Sequence, residues 1–266
     1  MTKLVYIGGY GRSGSTLLEY LLTASTDVVA CGEVAAVVRR GPHTKRNCTC
    51  GRKAKQCPVW CFLDPRASAA QDGWSHADLS LALLERFSSR YTLMIDSSKT
   101  SWDAAGAPFS LRRRLGRDFH FVHIVRDPRA VCWSAIRRGD RRASVITNHL
   151  LRSAWTTLGW WAANLTCEAF RRLHPKQYLR IRYEDLARSP RQELHRLFEW
   201  ISPGEIDITE PGSSDNRHQL YGNRMRHQQV SLADVAEDAR WKAEMPSADR
   251  RLVSWLSWPL RRRYGY

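Results

Sequence analysis

With 266 residues, 43% of them hydrophobic, the chain can bury the core of one α/β domain and has little room for a second. No apolar run is long enough to cross a bilayer, and Met1-Thr2-Lys3 leads straight into Leu4-Val5-Tyr6-Ile7 and a glycine turn rather than a signal-peptide core; this predicts a cytoplasmic protein with no membrane span. A formal charge of +16 calls for an anionic partner without choosing among nucleic acid, an anionic lipid surface and a phosphorylated small molecule, and the clusters Arg112 to Arg114, Arg137 to Arg142 and Arg261 to Arg263 also read as solvated helix faces.

Leu4 to Ile7 has strand length and runs into Gly8-Gly9-Tyr10-Gly11-Arg12-Ser13-Gly14-Ser15-Thr16, after which Leu17 to Leu22 continues as an amphipathic helix. Strand, glycine turn and helix N-terminus in that order place backbone N–H groups and the positive helix end around a phosphate. Against the pattern G-x-x-x-x-G-K-[ST], Gly9, Gly14 and Thr16 match, and Ser15 stands where the lysine belongs. A nucleoside triphosphatase uses that lysine on the β- and γ-phosphates, so its absence argues against ATP or GTP hydrolysis. Arg12 and the hydroxyls of Ser13, Ser15 and Thr16 suit a donor with less charge to neutralise.

A short strand, Val28 to Ala30, is followed by Cys31-Gly32-Glu33, where the glutamate is either a base at the sheet edge or a surface cap of the next helix. Gly32 to Trp74 is rich in Cys, Arg, Gly and Pro without a clear period and reads as a long excursion over the carboxyl edge of the sheet, with 34–75 as its core. Four of the seven cysteines lie here: Cys48, Cys50, Cys57 and Cys61. Their spacing matches neither common paired C-x-x-C zinc pattern, so a metal knuckle, a local disulfide and reduced thiols packing the loop all stay open, and no metal is assigned to the chemistry.

Helical periodicity over Leu79 to Phe87 precedes the strand Leu93 to Ile95, which ends in Asp96-Ser97-Ser98-Lys99. A strand-end Asp could hold magnesium in a kinase, or cap or orient its loop. Phe119 to Val125 is a further strand, and its exit Arg126-Asp127-Pro128-Arg129 lets Asp127 cap and Pro128 open a helix. Arg126 then leaves the sheet beside the phosphate loop, with Ser134 two turns on facing the same crevice. His43, His149 and His218 are rival bases to Glu33; His120 and His123 sit in a strand and read as packing residues. Ser153 to Leu173 is helical, and its tryptophans read as core or acceptor lining. Tyr178 to Ile181 is the last strand, with Tyr183 just beyond it. Ser189-Pro190 opens a helix through Trp200, Gly204 to Ser231 is loop-like, and Ser247 caps a last helix that Pro259 ends. The alternation predicts one α/β domain over 1–266, with a mostly parallel sheet flanked by helices on both faces.

These landmarks, in this order, resemble the sulfotransferases that use 3′-phosphoadenosine 5′-phosphosulfate. Arg12-Ser13-Gly14-Ser15-Thr16-Leu17 is similar to the family's 5′-phosphosulfate loop, Arg126 and Ser134 keep the spacing of its 3′-phosphate motif, and Tyr221-Gly222-Asn223-Arg224-Met225-Arg226 resembles a G-N-x-M-R element of bacterial members. The resemblance implies a P-loop NTPase-like fold. It also implies that Ser13, Gly14, Ser15 and Thr16 hold the 5′-phosphate, with Arg12 toward the sulfuryl group. Arg126 and Ser134 would grip the 3′-phosphate, and Tyr183, Gly222, Asn223, Arg224 and Arg226 would complete the nucleotide site. Asp96 to Lys99 is similar to a family D-S-S-K element that brings the lysine to the bridging oxygen. Cys31-Gly32-Glu33 resembles the segment carrying the catalytic glutamate of tyrosylprotein sulfotransferases. The implied reaction sulfates a hydroxyl, most simply of a small-molecule phenol or alcohol chosen by 34–75 and 140–175, and leaves 3′,5′-adenosine bisphosphate. No nucleic-acid partner is implied, and a homodimer is compatible. The competing readings are a P-loop kinase of small molecules and a basic nucleic-acid-binding module.

Overall fold

The structure is a computed structural model, and it describes residues 2–41, 46–63, 74–101, 104–137, 148–204, 206–211 and 214–266. Strands β1 (Lys3–Gly8), β2 (Val28–Ala30), β3 (Leu93–Asp96), β4 (Phe119–Val125) and β5 (Tyr178–Arg182) form a sheet in the order β2-β3-β1-β4-β5, with every pairing parallel. Alternation along a strand sends side chains to opposite faces, and both faces are buried. Leu4 and Tyr6 join Met94, Phe119 and Phe121 in one core, whereas Val5 and Ile7 join Leu18, Leu21, Ile95 and Ile124 in the other. This is why the strands read as continuous apolar runs.

Helix α1 (Ser15–Leu22) carries the chain from β1 to β2 on one side, and α5 (Pro128–Arg137) and α6 (His149–Leu173) carry it from β4 to β5 on the other. The connections leaving neighbouring β1 and β4 therefore diverge, which opens a crevice at their carboxyl ends, the usual ligand position in an open α/β sheet. Gly8 pairs with His123, so the glycine turn after β1 and Arg126 after β4 emerge side by side.

The remaining helices are α2 (Val34–Arg40), α3 (His76–Phe87), α4 (Ala107–Leu115), α7 (Tyr183–Arg188), α8 (Pro190–Ile201), α9 (Trp241–Glu244), α10 (Ser247–Leu256) and α11 (Trp258–Arg263). Four sequence expectations need correction. The excursion from Gly32 contains α2, so it is not wholly irregular. Ser247 is the first residue of α10 after Pro246 rather than its cap, and Pro259 lies in the first turn of α11 instead of ending the last helix. Ser189 precedes α8 without making a side-chain cap, although Pro190 opens the helix as expected. Helices α3 and α6 begin before their apolar periodicity does. Ser75 Oγ accepts the Asp78 N–H at 3.1 Å and Asn148 Oδ1 accepts the Leu151 N–H at 3.2 Å, and these caps start each helix. Among the described residues no helix is long and apolar enough to cross a membrane.

Candidate functional site

The turn after β1 has the backbone that its glycines permit. Gly9 sits at φ +121, and a Cβ there would lie 2.4 Å from the Ile124 carbonyl oxygen; Gly14 sits at φ +99 with a Cβ position 2.6 Å from Tyr183 Cδ2. Gly14 is the N-cap of α1 and supplies no side-chain acceptor to its first turn. Those amides therefore point at the crevice with the positive end of the helix behind them. Arg12 is one of two non-glycine residues with positive φ among the described residues (+73), the kind of strain that active sites retain. Ser13 Oγ is buried and has no hydrogen-bond partner. An unsatisfied buried hydroxyl costs stability.

Arg126 leaves β4 almost completely buried. Its Nη1 donates to the Arg12 carbonyl at 3.1 Å, its Nη2 donates to the Asp238 carbonyl at 2.8 Å, and its guanidinium lies 4.2 Å from the centre of the Tyr183 ring. Its Nε finds no partner. Asp127 Oδ1 accepts the Arg129 N–H at 2.9 Å and Pro128 begins α5, as the strand exit predicts. Ser134 Oγ accepts Arg12 Nε at 3.1 Å, so the glycine turn and the β4 exit touch through both pairs.

On the other flank, Glu33 follows β2 and forms an ion pair with Lys99, which follows β3; both side chains are only partly exposed. Lys99 is the second non-glycine residue with positive φ among the described residues (+69). Its N–H donates to the Ile7 carbonyl at 3.1 Å, the Thr100 N–H donates to the Gly9 carbonyl at 3.1 Å, and the Tyr6 hydroxyl donates to the Lys99 carbonyl. The strained lysine backbone is thereby held by β1 and the glycine turn.

One cleft of about 720 Å³ collects these groups: Arg12, Gly14, Ser15, Thr16, Glu33, Lys99, Arg126, Ser134, Tyr183, Gly222, Asn223 and Arg224 all line it. It offers amide donors with Arg12, Glu33, Lys99 and Arg126 at the carboxyl ends of four neighbouring strands, and Arg224 on the loop beyond. The sequence matches the model of the sulfotransferase family over residues 5–203. The chain belongs to the sulfotransferase family. Similar solved structures agree in fold. The sulfotransferase domain from the curacin biosynthetic pathway is 19% identical over 97% of this chain and 98% of its own, with a TM-score of 0.58. The sulfotransferase domain from the olefin synthase of Synechococcus PCC 7002 is 19% identical over 100% of this chain and 95% of its own, with a TM-score of 0.62. A search of curated proteins finds no match.

In this sulfotransferase two of the sequence-predicted residues stand back from the cleft. Ser13 is buried beneath the turn. Arg226 turns onto its own loop, where its Nη1 donates to the Gly222 carbonyl at 2.6 Å. Asp96 is fully buried and absent from the cleft lining. Its Oδ1 accepts from Ser98 N at 2.9 Å and from Val34 N at 3.4 Å, and its Oδ2 lies 2.6 Å from His76 Nε2. These contacts orient the loop after β3 and turn the Asp96 carboxylate away from the cleft. His123 is buried between Tyr178 and Asn164, and His120 packs on Trp200, so neither competes as a base. His43 lies outside the described residues.

Sequence reasoning missed two parts of the site. The segment from Gln228 to Asp238 lines the cleft and carries the Asp238 carbonyl that meets Arg126. The Asp238 carboxyl is held down at about 2, mainly by its hydrogen bond to Arg240. The other part is Glu19. Its Oε1 accepts the Gly32 N–H at 2.6 Å and its Oε2 accepts the Ser97 hydroxyl at 2.7 Å, so it fixes the backbone just before Glu33 and near Lys99. A single charge inside α1, whose eight residues are all buried, was the available signal. Burial pushes the Glu19 carboxyl up to about 7 against the hydrogen bonds that lower it. The folded chain therefore holds this proton more tightly than the unfolded chain. The resulting stabilisation is complete below the unfolded value near 4.5 and is lost as pH rises through 7. Replacing Glu19 with glutamine removes that dependence. The stability of the variant relative to wild type, read by urea unfolding, is expected to improve by about 1–3 kcal/mol between pH 5 and pH 8.

Proposed function

We propose that the enzyme transfers the sulfuryl group of 3′-phosphoadenosine 5′-phosphosulfate to the hydroxyl of a small phenol or alcohol, and that it acts in the cytoplasm. The observation that carries this reading is the pair of anion grips meeting in one cleft, the helix start with Ser15 and Thr16 on one side and Arg126 with Ser134 on the other. The residues fit such a donor. Arg126 Nε is a buried donor without a partner beside the cleft, and an anion at the second grip would satisfy it.

The donor supplies an activated sulfuryl group with a phosphate as leaving group. The first-turn amides of α1, with the Ser15 and Thr16 hydroxyls, hold its 5′-phosphate. Arg126 and Ser134 hold its 3′-phosphate, and Tyr183 stacks on the arginine and keeps the fork in place. Gly222, Asn223 and Arg224 close over the nucleotide, and Arg226 braces their loop from behind. Glu33 accepts the proton of the acceptor hydroxyl as the new oxygen–sulfur bond forms. Lys99 and Arg12 stabilise the charge that collects on the leaving oxygen as the old bond breaks. Proximity supplies much of the rate, because the two rigid strand ends fix base and cation before the acceptor arrives.

A cleft of about 720 Å³ is of the size that takes small ligands. The stretches 34–75 and 140–175, expected to choose that acceptor, lie partly outside the described residues (42–45, 64–73 and 140–147). The reading is tested by incubating the enzyme with a panel of phenols and alcohols and either donor. Sulfated product and 3′,5′-adenosine bisphosphate are expected from 3′-phosphoadenosine 5′-phosphosulfate, and no phosphorylated product from ATP with magnesium. Phosphorylation from ATP would restore the kinase reading.

A further inference from the structure

Away from the cleft, the cysteine-rich excursion meets the segment before Gly222. The ligand atoms of Cys48, Cys50, Cys57 and His218 all lie within 4.8 Å of one another. Cys57 Sγ is 3.6 Å from Cys48 Sγ and 3.3 Å from His218 Nδ1. A tetrahedral zinc with Zn–S near 2.3 Å and Zn–N near 2.0 Å has ligand–ligand edges of about 3.8 Å between sulfurs and about 3.5 Å between sulfur and nitrogen. The cluster is close to those edges, whereas a disulfide needs its sulfurs about 2.05 Å apart. From this convergence we propose that Cys48, Cys50, Cys57 and His218 form a structural zinc site.

The local backbone is built to present these ligands. Asn47 bridges Lys53 in antiparallel fashion, the Cys48 N–H donates to the Arg52 carbonyl at 2.8 Å, and Gly51 turns the chain at φ +82. This tight turn carries Cys48 and Cys50, and Cys57 follows a single 3₁₀ turn (Ala54–Gln56). His218 Nε2 lies 3.0 Å from the Asp215 carbonyl oxygen. A carbonyl can only accept, so the proton sits on Nε2 and the Nδ1 lone pair faces the sulfurs, as the outer-shell partner of a metal-bound histidine commonly ensures. The His218 N–H donates to the Ala30 carbonyl at 2.7 Å and its carbonyl accepts Trp60 Nε1 at 2.6 Å, which anchors the fourth ligand to both the sheet edge and the loop. Cys48, Cys57 and His218 are buried and Cys50 half-buried. Three thiolates and one imidazole fill all four positions, the donor set of a closed zinc site without an open catalytic position. Cys61 is excluded, because its sulfur faces the Pro58 carbonyl and Arg86 instead.

The excursion between α2 and α3 has little secondary structure of its own among the described residues, namely the Asn47–Lys53 bridge and two three-residue 3₁₀ turns. A metal tying it to 215–221 would hold it over the sheet edge. The test is elemental analysis of the untagged full-length protein from zinc-supplemented cells. About one zinc per chain is expected. Cys57→Ser should lower the zinc to under about a tenth of an equivalent, whereas Cys61→Ser and His218→Cys keep it. If Cys57→Ser does not fold, cobalt(II) exchange into the wild type decides instead, with the thiolate charge-transfer and intense visible bands of tetrahedral cobalt expected. Folded wild type without zinc and without that cobalt spectrum would overturn the site, as would a mapped disulfide joining Cys48 and Cys57. None of these readouts depends on the identity of the sulfuryl donor.

Discussion

Exchanging Glu33 for glutamine is expected to lower kcat by about 10²–10⁴-fold while the affinity for 3′,5′-adenosine bisphosphate stays within about threefold. The change keeps the shape and removes the proton acceptor. Glu33 lines the cleft and forms an ion pair with Lys99. Lys99→Ala is expected to cost about 10²–10³-fold in kcat, the loss of a preorganised donor to developing charge. Its backbone is held in a left-handed conformation by the Ile7 carbonyl and the Tyr6 hydroxyl, so the ammonium is aimed by the fold rather than by the substrate. Because the two act on one proton and one bond, the double variant should lose much less than the product of the single losses. A Glu33→Gln enzyme with near-normal kcat would remove the base from this position.

Arg126→Ala is expected to weaken 3′,5′-adenosine bisphosphate by on the order of 10²-fold or more, since a buried charge-assisted contact is lost. Binding of ADP, which has no 3′-phosphate, should move far less. Arg126→Lys keeps the charge and loses the fork that reaches both the Arg12 and Asp238 carbonyls, so it should fall between the two. Thermal unfolding of each variant separates lost affinity from lost fold. Equal weakening of both nucleotides would place Arg126 at the wrong phosphate.

The strands were the most legible part of the molecule. β2 and β4 begin and end where the apolar runs do, because a parallel strand buried on both faces has no polar alternation to blur its edges. The glycine turn and the Arg126 exit were legible for a different reason: each is a local pattern whose chemistry lies within ten residues. What escaped was set at long range. Helix α2 contains three valines and begins without a cap of its own; its first amides are received by Asp96 Oδ1 and Ser98 Oγ from the end of β3. Glu19 finds its partners at Gly32 and Ser97, and the fourth member of the cysteine cluster is a histidine far down the chain. Sequence spacing among Cys48, Cys50, Cys57 and Cys61 left their role open, because the fold, not the local chain, brings His218 beside three of them.

The central claim is one cleft with separate grips for the two phosphates of a single adenosine nucleotide. Calorimetric titration of the wild-type enzyme with 3′,5′-adenosine bisphosphate and with ADP tests it most directly. Tight binding of the bisphosphate, with ADP at least about 10²-fold weaker, is the predicted result. Equal affinities for the two would contradict the account.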